Sequence, residues 1–225
     1  MKIHNAGTHI EVGFDGTEEM YFSPDDLPLF EDLNIILSGR SGGTNHILCS
    51  ENGAGKTTLM RNFCLELRMQ GKHVEVISAD GLVAEQFLAM RNSTEKAFLH
   101  KKRELLVLDD CFTIRPQSSE VWILEKIRQF NPQITMFFLF DCAAELALNA
   151  FASTLHIDSI YTLSHPNADA RKAFALQYVR RQKLTVSTEK ATALAQSILQ
   201  IAPLRAALQR QHLQAALSNA PKEIP

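Results

Sequence analysis

Residues 50–59 read SENGAGKTTL and match a phosphate-binding loop in all but the first position. In such a loop, Gly53 and Gly55 allow the backbone to turn its amide groups inward around a phosphate. Lys56 reaches the β and γ phosphates of a nucleotide, and the hydroxyl of Thr57 can bind Mg²⁺. The stretch therefore predicts ATP or ADP as a ligand, together with Mg²⁺.

The flanking sequence supplies the strand and the helix that this loop requires. NHILC at 45–49 predicts a strand, and TTLMRNF at 57–63 predicts a helix. Ser50 stands where the pattern has glycine, which is the one departure from it. The predicted nucleotide-binding residues are Ser50, Asn52, Gly53, Ala54, Gly55, Lys56, Thr57 and Thr58.

A second motif, ELLVLDD at 104–110, is an apolar run that ends in two acids. Buried parallel strands deliver carboxylates to the carboxyl edge of a sheet in this way. We therefore predict that Asp109 binds the metal together with Thr57, and that Asp110 is the candidate base that polarises water. Alternatively, the two acids only cap the segment that follows them.

Composition limits the class of protein. A chain of 225 residues with 45% hydrophobic content can bury a full core, in one domain with a small appended one. The net charge of −2 gives no overall attraction to nucleic acid or to an anionic membrane, so any such contact must come from a local patch. The basic clusters at 101–103 and 180–183 are predicted to be solvated surface or helix-end charge.

The remaining composition favours a cytoplasmic protein. Four cysteines without metal-type spacing read as reduced packing residues: Cys49, Cys64, Cys111 and Cys142. No apolar stretch reaches about 18 residues, and the N-terminus has no signal-peptide pattern, so we expect no membrane contact.

The order of predicted elements indicates an α/β protein. Residues 1–22 predict an accessory hairpin, and a helix capped by Ser23 runs to about Leu37. Strands and helices alternate through the rest of 23–165, which predicts a five-stranded parallel sheet flanked by helices. Residues 166–217 predict helices only, hence a small helical lid subdomain, and 218–225 form a tail.

The loop, the acidic strand and the helical lid together resemble the AAA+ ATPases, in particular the branch of DnaA and its relative Hda. The resemblance runs from about Phe22 to His212, and it is best over residues 51–60, 73–79 and 105–110. FFLFD at 137–141 looks like the sensor strand of this family, which implies that Asp141 lies near the γ-phosphate. The resemblance thus implies a nucleotide-binding protein of bacterial replication control.

Two departures from the family affect the expected chemistry. Thr154 stands where the family has the arginine finger that completes a neighbour's site, and Ala202 stands where the lid helix has an arginine that senses nucleotide. Arg205 lies three residues further on and replaces that arginine only in a shifted register. Because a finger contributes several orders of magnitude to hydrolysis, we expect weak turnover or none, with ATP or ADP as a conformational ligand.

The resemblance also implies partners. Hda-like proteins dock on another AAA+ protein such as an initiator ATPase, so we expect a regulator that acts through protein contact. The family's DNA-binding module would follow the lid, and we expect no sequence-specific DNA binding here. DLPLF at 26–30 is similar to a sliding-clamp-binding peptide with Asp26 in place of glutamine, but the same residues also fit the buried face of a helix.

Other functions remain open on the sequence alone. LSGRSGG at 37–43 has the look of a transporter ATPase signature, but it precedes the loop instead of following it. The alternatives are a helicase-loader-like or mobile-element ATPase adaptor, a small-molecule kinase with the same loop, and an adaptor with a relict site. A kinase consumes ATP only with a second substrate, a regulator stimulates a partner's hydrolysis, and a relict site binds without turnover.

Overall fold

The computed structural model describes residues 1–15, 17–40, 42–111, 114–116, 118–151 and 155–218. The described strands are β1 (Lys2–Asn5), β2 (Ile10–Gly13), β3 (Met20–Phe22), β4 (Asn45–Ser50), β5 (Val74–Ser78), β6 (Leu105–Asp109), β7 (Thr135–Phe140) and β8 (Ser159–Leu163). The described α-helices are α1 (Leu27–Leu37), α2 (Lys56–Met69), α3 (Ala79–Arg91), α4 (Glu95–Leu99), α5 (Ser119–Phe130), α6 (Ala144–Asn149), α7 (Ala168–Arg181), α8 (Thr188–Ser197) and α9 (Ile201–Ser218).

These elements form two compact units. The first contains α1 and everything from there to the end of β8, and the second combines β1, β2 and β3 with the three C-terminal helices. The segment that the sequence separates as an N-terminal accessory piece thus belongs to the same unit as the helices of the predicted lid.

The first unit is built on a five-stranded parallel sheet with the strand order β5-β6-β7-β4-β8. Strands β4 and β7 are buried along their whole length, although β4 contains the polar residues Asn45, His46 and Ser50 and β7 begins with Thr135. β7 lies between β4 and β6, so Phe140 pairs with Cys49 on one side and Phe138 with Leu108 on the other. The carboxyl ends of the loop strand, the acidic strand and β7 are therefore side by side.

Helices cover the sheet, and the predicted α/β class is confirmed. Phe138 of β7 belongs to a core cluster with Leu124 of α5 and Leu82 of α3, and its ring lies 4.5 Å from that of Phe151. On α2, Leu59 and Phe63 are fully buried. Each buried apolar side chain of this size stabilises the folded state by about 1.5–3 kcal/mol relative to an exposed one. The packing of helices on the sheet therefore favours this strand order.

Helix α1 begins later than the sequence predicts. Residues Pro24–Asp26 form a 3₁₀ turn, and the N-cap of α1 is Asp26 without a side-chain hydrogen bond, so Ser23 is not the cap. Within the proposed clamp-binding stretch, Leu29 and Phe30 are buried in the core. Clamp binding through 26–30 stays a prediction, and it requires these side chains to leave the core.

The second unit packs an antiparallel sheet on three helices. The predicted hairpin is present as β2 and β3, and β1 adds a third strand on the other side of β2. The ring of Tyr21 on β3 meets Phe174 of α7 edge to face, with centroids 6.1 Å apart. Both rings belong to a core shared with small residues of α8 and with Leu204 and Leu208 of α9.

Polar contacts reinforce this arrangement. Glu19 accepts hydrogen bonds from Gln177 at 2.7 Å and from Arg181 at 2.8 Å, and Asn167 donates to the carbonyl of Thr8 at 2.9 Å. Arg171 of α7 is buried and donates its Nε to the carbonyl of Ala195 at 2.8 Å, which ties α7 to the end of α8. The bond from Arg171 satisfies a buried donor that would be costly to leave unpaired, whereas the contacts of Arg181 and Asn167 are exposed.

Every helix in the part of the chain that the structure describes is too short or too polar to span a lipid bilayer.

Candidate functional site

The phosphate loop joins β4 to α2 and has the backbone that its glycines allow. Gly53 and Gly55 have φ values of +87° and +99°, in the region that side chains other than glycine rarely adopt. Gly55 is also the N-cap of α2. The loop therefore ends at a helix N-terminus, where backbone amides and the helix dipole favour a phosphate group.

Ser50 occupies a position that does not need glycine. It is the last residue of β4, paired in register with Leu163 of β8, and it is not among the described residues with positive φ. A strand residue with extended backbone accepts a side chain without strain. The loop therefore keeps its geometry with serine at the first position, although the sequence pattern has glycine there.

Lys56 and Asp141 form an ion pair at the carboxyl edge of the sheet. The Nζ of Lys56, the first residue of α2, donates to Oδ1 of Asp141 at 2.7 Å. Asp141 directly follows β7, and the position of that strand beside β4 brings the two residues together across 85 positions of sequence. The lysine is buried, so this carboxylate compensates a cation that would otherwise be costly to remove from water.

Thr57 and Asp109 form a second pair beside the first. The Oγ1 of Thr57 donates to Oδ1 of Asp109 at 3.4 Å, a weak hydrogen bond between α2 and the end of β6. A hydroxyl and a carboxylate oxygen are ligands that Mg²⁺ prefers, and magnesium sites in nucleotide-binding proteins use one or two protein oxygens together with phosphates. The arrangement fits that ion, and no cluster of three or more His, Cys, Asp or Glu among the described residues competes as a metal site.

Asp110 lies next to these pairs but does not join them. Its side chain is exposed, and its backbone N–H donates to Oδ1 of Asp109 at 3.1 Å. Its φ of +55° is tolerated by aspartate better than by most residues and turns the chain at the end of β6. Among the described residues, the carboxylate of Asp110 makes no hydrogen bond or ion pair with Lys56, Thr57 or Asp141, so its role as a base stays a prediction.

The other predicted nucleotide-binding residues lie on the same loop. Asn52 and Thr58 are exposed, whereas Ala54 is buried and donates its N–H to the carbonyl of Glu51 at 3.3 Å. This bond closes the turn over residues 51–54, which contains Gly53. Exposed positions at the loop are accessible to a ligand, and the buried alanine holds the loop against the core.

Two thiols also lie near this edge of the sheet. Burial raises the pKa of Cys49 to about 12 and also raises that of Cys142, so both are thiols at neutral pH. The positive charge of Arg115 opposes the rise in the pKa of Cys142.

The expectation of weak hydrolysis depends on Thr154 and Ala202, the two departures from the family pattern. Thr154 lies outside the described residues. Ala202 is exposed at the start of α9. The guanidinium of Arg205 donates to Glu18 at 2.6 Å and lies over the rings of Phe174 and Tyr178, so other groups of the second unit already hold it.

Comparison with known proteins supports the fold. No family model and no curated protein matches the sequence. Domain III of the replication initiation protein DnaA from Thermotoga maritima is similar in structure, with a TM-score of 0.66 and 14% identity, over 90% of this chain and 88% of that one. AMPPCP-bound DnaA from Aquifex aeolicus has a TM-score of 0.67 and 14% identity, over 89% of this chain and 66% of its own.

A mutant of RuvB from Thermotoga maritima is also similar, with a TM-score of 0.64 and 15% identity, over 87% of this chain and 64% of that one. This chain thus spans about two thirds of the length of the larger structures that it resembles. At these identities the likeness shows the fold alone, and that fold is the DnaA-like AAA+ fold, as the sequence predicts.

The Lys56–Asp141 pair predicts that removal of the carboxylate lowers the free energy of unfolding more than removal of the lysine. Asp141→Asn leaves the buried cation without its charged partner, and we expect the free energy of unfolding to fall by about 1–3 kcal/mol. Lys56→Met removes the cation that needs compensation, and because the side chain of Asp141 is 39% exposed against 7% for Lys56, its carboxylate stays hydrated. We expect that variant to change stability by less than about 1 kcal/mol. Urea unfolding measures both, and equal losses would contradict this account.

Proposed function

We propose that this chain binds ATP or ADP with Mg²⁺ and regulates the initiation of bacterial DNA replication through nucleotide-dependent contact with another AAA+ protein. The observation that carries the nucleotide-binding part is the pairing at the carboxyl edge of the sheet. Lys56 and Thr57 are consecutive residues at the end of the phosphate loop. Lys56 contacts the carboxylate of Asp141, which follows β7, and Thr57 contacts that of Asp109, at the end of β6. The regulatory part rests on the resemblance to DnaA and Hda and on the residues that depart from it.

In this proposal, phosphate binding is an exchange of anions at Lys56. The amides of the loop and the helix N-terminus take the phosphate oxygens, and the ammonium group moves from Asp141 to the β and γ phosphates. Asp141 then lies close to the position of the terminal phosphate. Its negative charge repels a γ-phosphate when ATP is bound and meets none when ADP is bound. This is a physical basis for sensing ATP against ADP.

Thr57 and Asp109 are the residues that would hold Mg²⁺. When bound, the ion neutralises phosphate charge and orients the β and γ phosphates. The Thr57 hydroxyl, whose hydrogen bond to Asp109 is weak, would be available to hold the ion. Asp109 stays ordered by the backbone N–H of Asp110, which donates to the same carboxylate oxygen.

Hydrolysis is expected to be weak. Asp110 is positioned to orient water only if its exposed carboxylate turns toward the site. The sequence has threonine at the position of the family's finger and alanine at the start of the lid helix, and Arg205 is engaged by Glu18. A missing finger lowers hydrolysis by about 10³- to 10⁵-fold, so the bound nucleotide acts mainly as a conformational ligand.

The proposed partner is an AAA+ protein such as an initiator ATPase, because Hda-like proteins act by docking on one. Nucleotide binding would order the loop and the carboxyl edge and so alter the surface offered to that partner. A contact with the sliding clamp through 26–30 is the weaker part of the proposal, since Leu29 and Phe30 are core residues of α1.

Loss of the loop lysine should strongly weaken nucleotide binding. We expect Lys56→Ala to weaken ATP and ADP binding by about 100-fold or more, equivalent to ~2.7 kcal/mol, because its charge reaches two phosphates. Calorimetry with Mg²⁺ measures this, and Arg61→Ala, an exposed position in the second turn of α2, is the matched control. Equal binding by wild type and Lys56→Ala would contradict the proposed site.

The sensing role of Asp141 predicts a change in ligand preference. Asp141→Asn removes the competitor for Lys56 and the like charge near the γ-phosphate, so ATP binding should strengthen relative to ADP by about threefold or more. The ratio of the two dissociation constants, from the same calorimetric titrations, is the readout. An unchanged ratio would mean that Asp141 does not face the terminal phosphate.

The regulatory role predicts the pattern of phosphate release. We expect negligible release by the protein alone and faster release by a purified initiator ATPase when this protein is added with nucleotide. The Lys56→Ala variant is the control and should lose the effect. Fast release by the protein alone would contradict the weakened site, and release that needs an added small-molecule acceptor would indicate a kinase instead.

A further inference from the structure

Strand β5 has an unpaired outer edge. It stands at one end of the strand order and pairs only with β6 among the described strands. The carbonyl of His73, just before β5, accepts from the backbone N–H of Leu105 at 3.3 Å, so the backbone of His73 faces β6. Because backbone groups alternate between the two sides of a strand, Val74 and Val76 direct their N–H and C=O groups away from the sheet. An edge of this kind is a template for another strand.

The outer groups of Val76 are available to a partner. Among the described residues, none outside β6 forms a hydrogen bond with the backbone of Val76. The side chains of β5 are all partly accessible, so the strand is not covered along this edge. An extended segment beside β5 would therefore find both a donor and an acceptor at this residue.

A cleft along this edge provides space for such a segment. It has a volume of about 390 Å³, and three consecutive strand residues line it: Val74, Glu75 and Val76. The remaining lining residues come from the end of α2, the turn that follows it and the segment before β6: Arg68, Lys72, His73, Lys101, Lys102 and Arg103. The open strand edge and the concave surface thus coincide.

The cleft selects for negative charge in the segment that binds. Three of its five lysines and arginines are in ion pairs, namely Lys72, Lys101 and Arg103. The other two, Arg68 and Lys102, are exposed and have no ion pair among the described residues. Their charge favours a partner that carries carboxylates, and it disfavours a second copy of the same basic edge.

Arg68 links the charge of the cleft to the strand edge. It donates to the carbonyl of Val74 through Nε at 3.3 Å and through Nη2 at 3.1 Å. A guanidinium group forms stronger hydrogen bonds with a carboxylate than with a neutral carbonyl. A carboxylate placed beside Arg68 therefore draws this side chain away and leaves the carbonyl of Val74 to accept from a peptide N–H.

We propose that the outer edge of β5 binds an extended acidic segment of a partner protein by strand addition. Main-chain hydrogen bonds to Val74 and Val76 set the register, and Arg68 and Lys102 bind carboxylates of the segment. Since a five-residue parallel strand is ~16 Å long, this docking surface at the start of β5 is separate from the nucleotide site at the carboxyl edge. The inference goes beyond the proposed function, because no residue of the nucleotide site takes part.

A model peptide tests the chemistry of the partner. The probe is a labelled octapeptide in which valine and glutamate alternate, and fluorescence anisotropy measures its binding. One control has lysine in place of glutamate, and two others carry N-methyl groups on alternate backbone nitrogens, one for each register. We expect the lysine peptide and one of the two N-methylated peptides to bind about tenfold more weakly or worse. The first reverses the charge, and the second lacks the N–H groups that β5 accepts.

Variants of the protein test the strand edge and the charge separately. Val76→Pro removes an outward N–H but keeps the ladder with β6, so binding should weaken by about tenfold or more. Val76→Thr keeps the N–H and is the matched control, which should bind as wild type. Lys102→Glu should weaken binding by about threefold or more and melt as wild type, since the residue is exposed. Lys172→Glu, an exposed position on α7, should change neither quantity.

Amide hydrogen exchange locates the bound peptide. The N–H of Val76 should exchange rapidly in the free protein and become protected when the peptide binds. The N–H of Ile77 faces β6 and should be protected in both states. Lys56→Ala should bind the peptide as wild type, so failure of this docking surface and failure of the nucleotide site are distinguishable.

Three results would overturn the proposal. The first is the absence of binding of the valine–glutamate peptide at protein concentrations up to about 1 mM. The second is equal binding of this peptide and both of its N-methylated forms, which would reduce the contact to attraction between charges. The third is unchanged exchange of the Val76 amide while the peptide is bound.

Discussion

The position of β7 between β4 and β6 is the constraint on which the site depends. All six residues of β7 are buried and both of its edges pair with other strands, so the strand cannot shift without exposing a large apolar surface. Its place fixes where Asp141 emerges, beside the loop on one side and beside Asp109 on the other. Packing of phenylalanines in the core thereby determines the distance between a lysine and a carboxylate at the edge of the sheet.

That distance has an electrostatic consequence. Lys56 is buried at the start of a helix, where the dipole disfavours a cation, and Asp141 compensates the charge. In the proposed function, nucleotide binding replaces one anion by another at the same ammonium group, so the stability of the protein without ligand and its affinity for ligand would depend on the same charge balance. Under the same proposal, a terminal phosphate would add negative charge beside Asp141, and this carboxylate would respond to the number of phosphates.

Local motifs could be read from the sequence, whereas long-range packing could not. Periodicity and turn residues within windows of about 15 positions predict the loop and the acidic strand, and they also predict the individual helices after β8. The joining of β3 to α7 through Tyr21 and Phe174 depends on contacts across most of the chain, and no local pattern predicts it. At Ser50 the motif alone predicts a weakened loop, and the structure shows no backbone strain, because this residue lies in β4 and is not among the described residues with positive φ.

The most direct measurement of the central claim is a crystal structure with a non-hydrolysable ATP analogue and Mg²⁺. The account predicts phosphates against the amides between Gly53 and Thr57, with Nζ of Lys56 moved from Asp141 to the β and γ phosphates. It also predicts Mg²⁺ between the Thr57 hydroxyl and the carboxylate of Asp109. A structure in which Lys56 still pairs with Asp141 while the analogue binds elsewhere would contradict it.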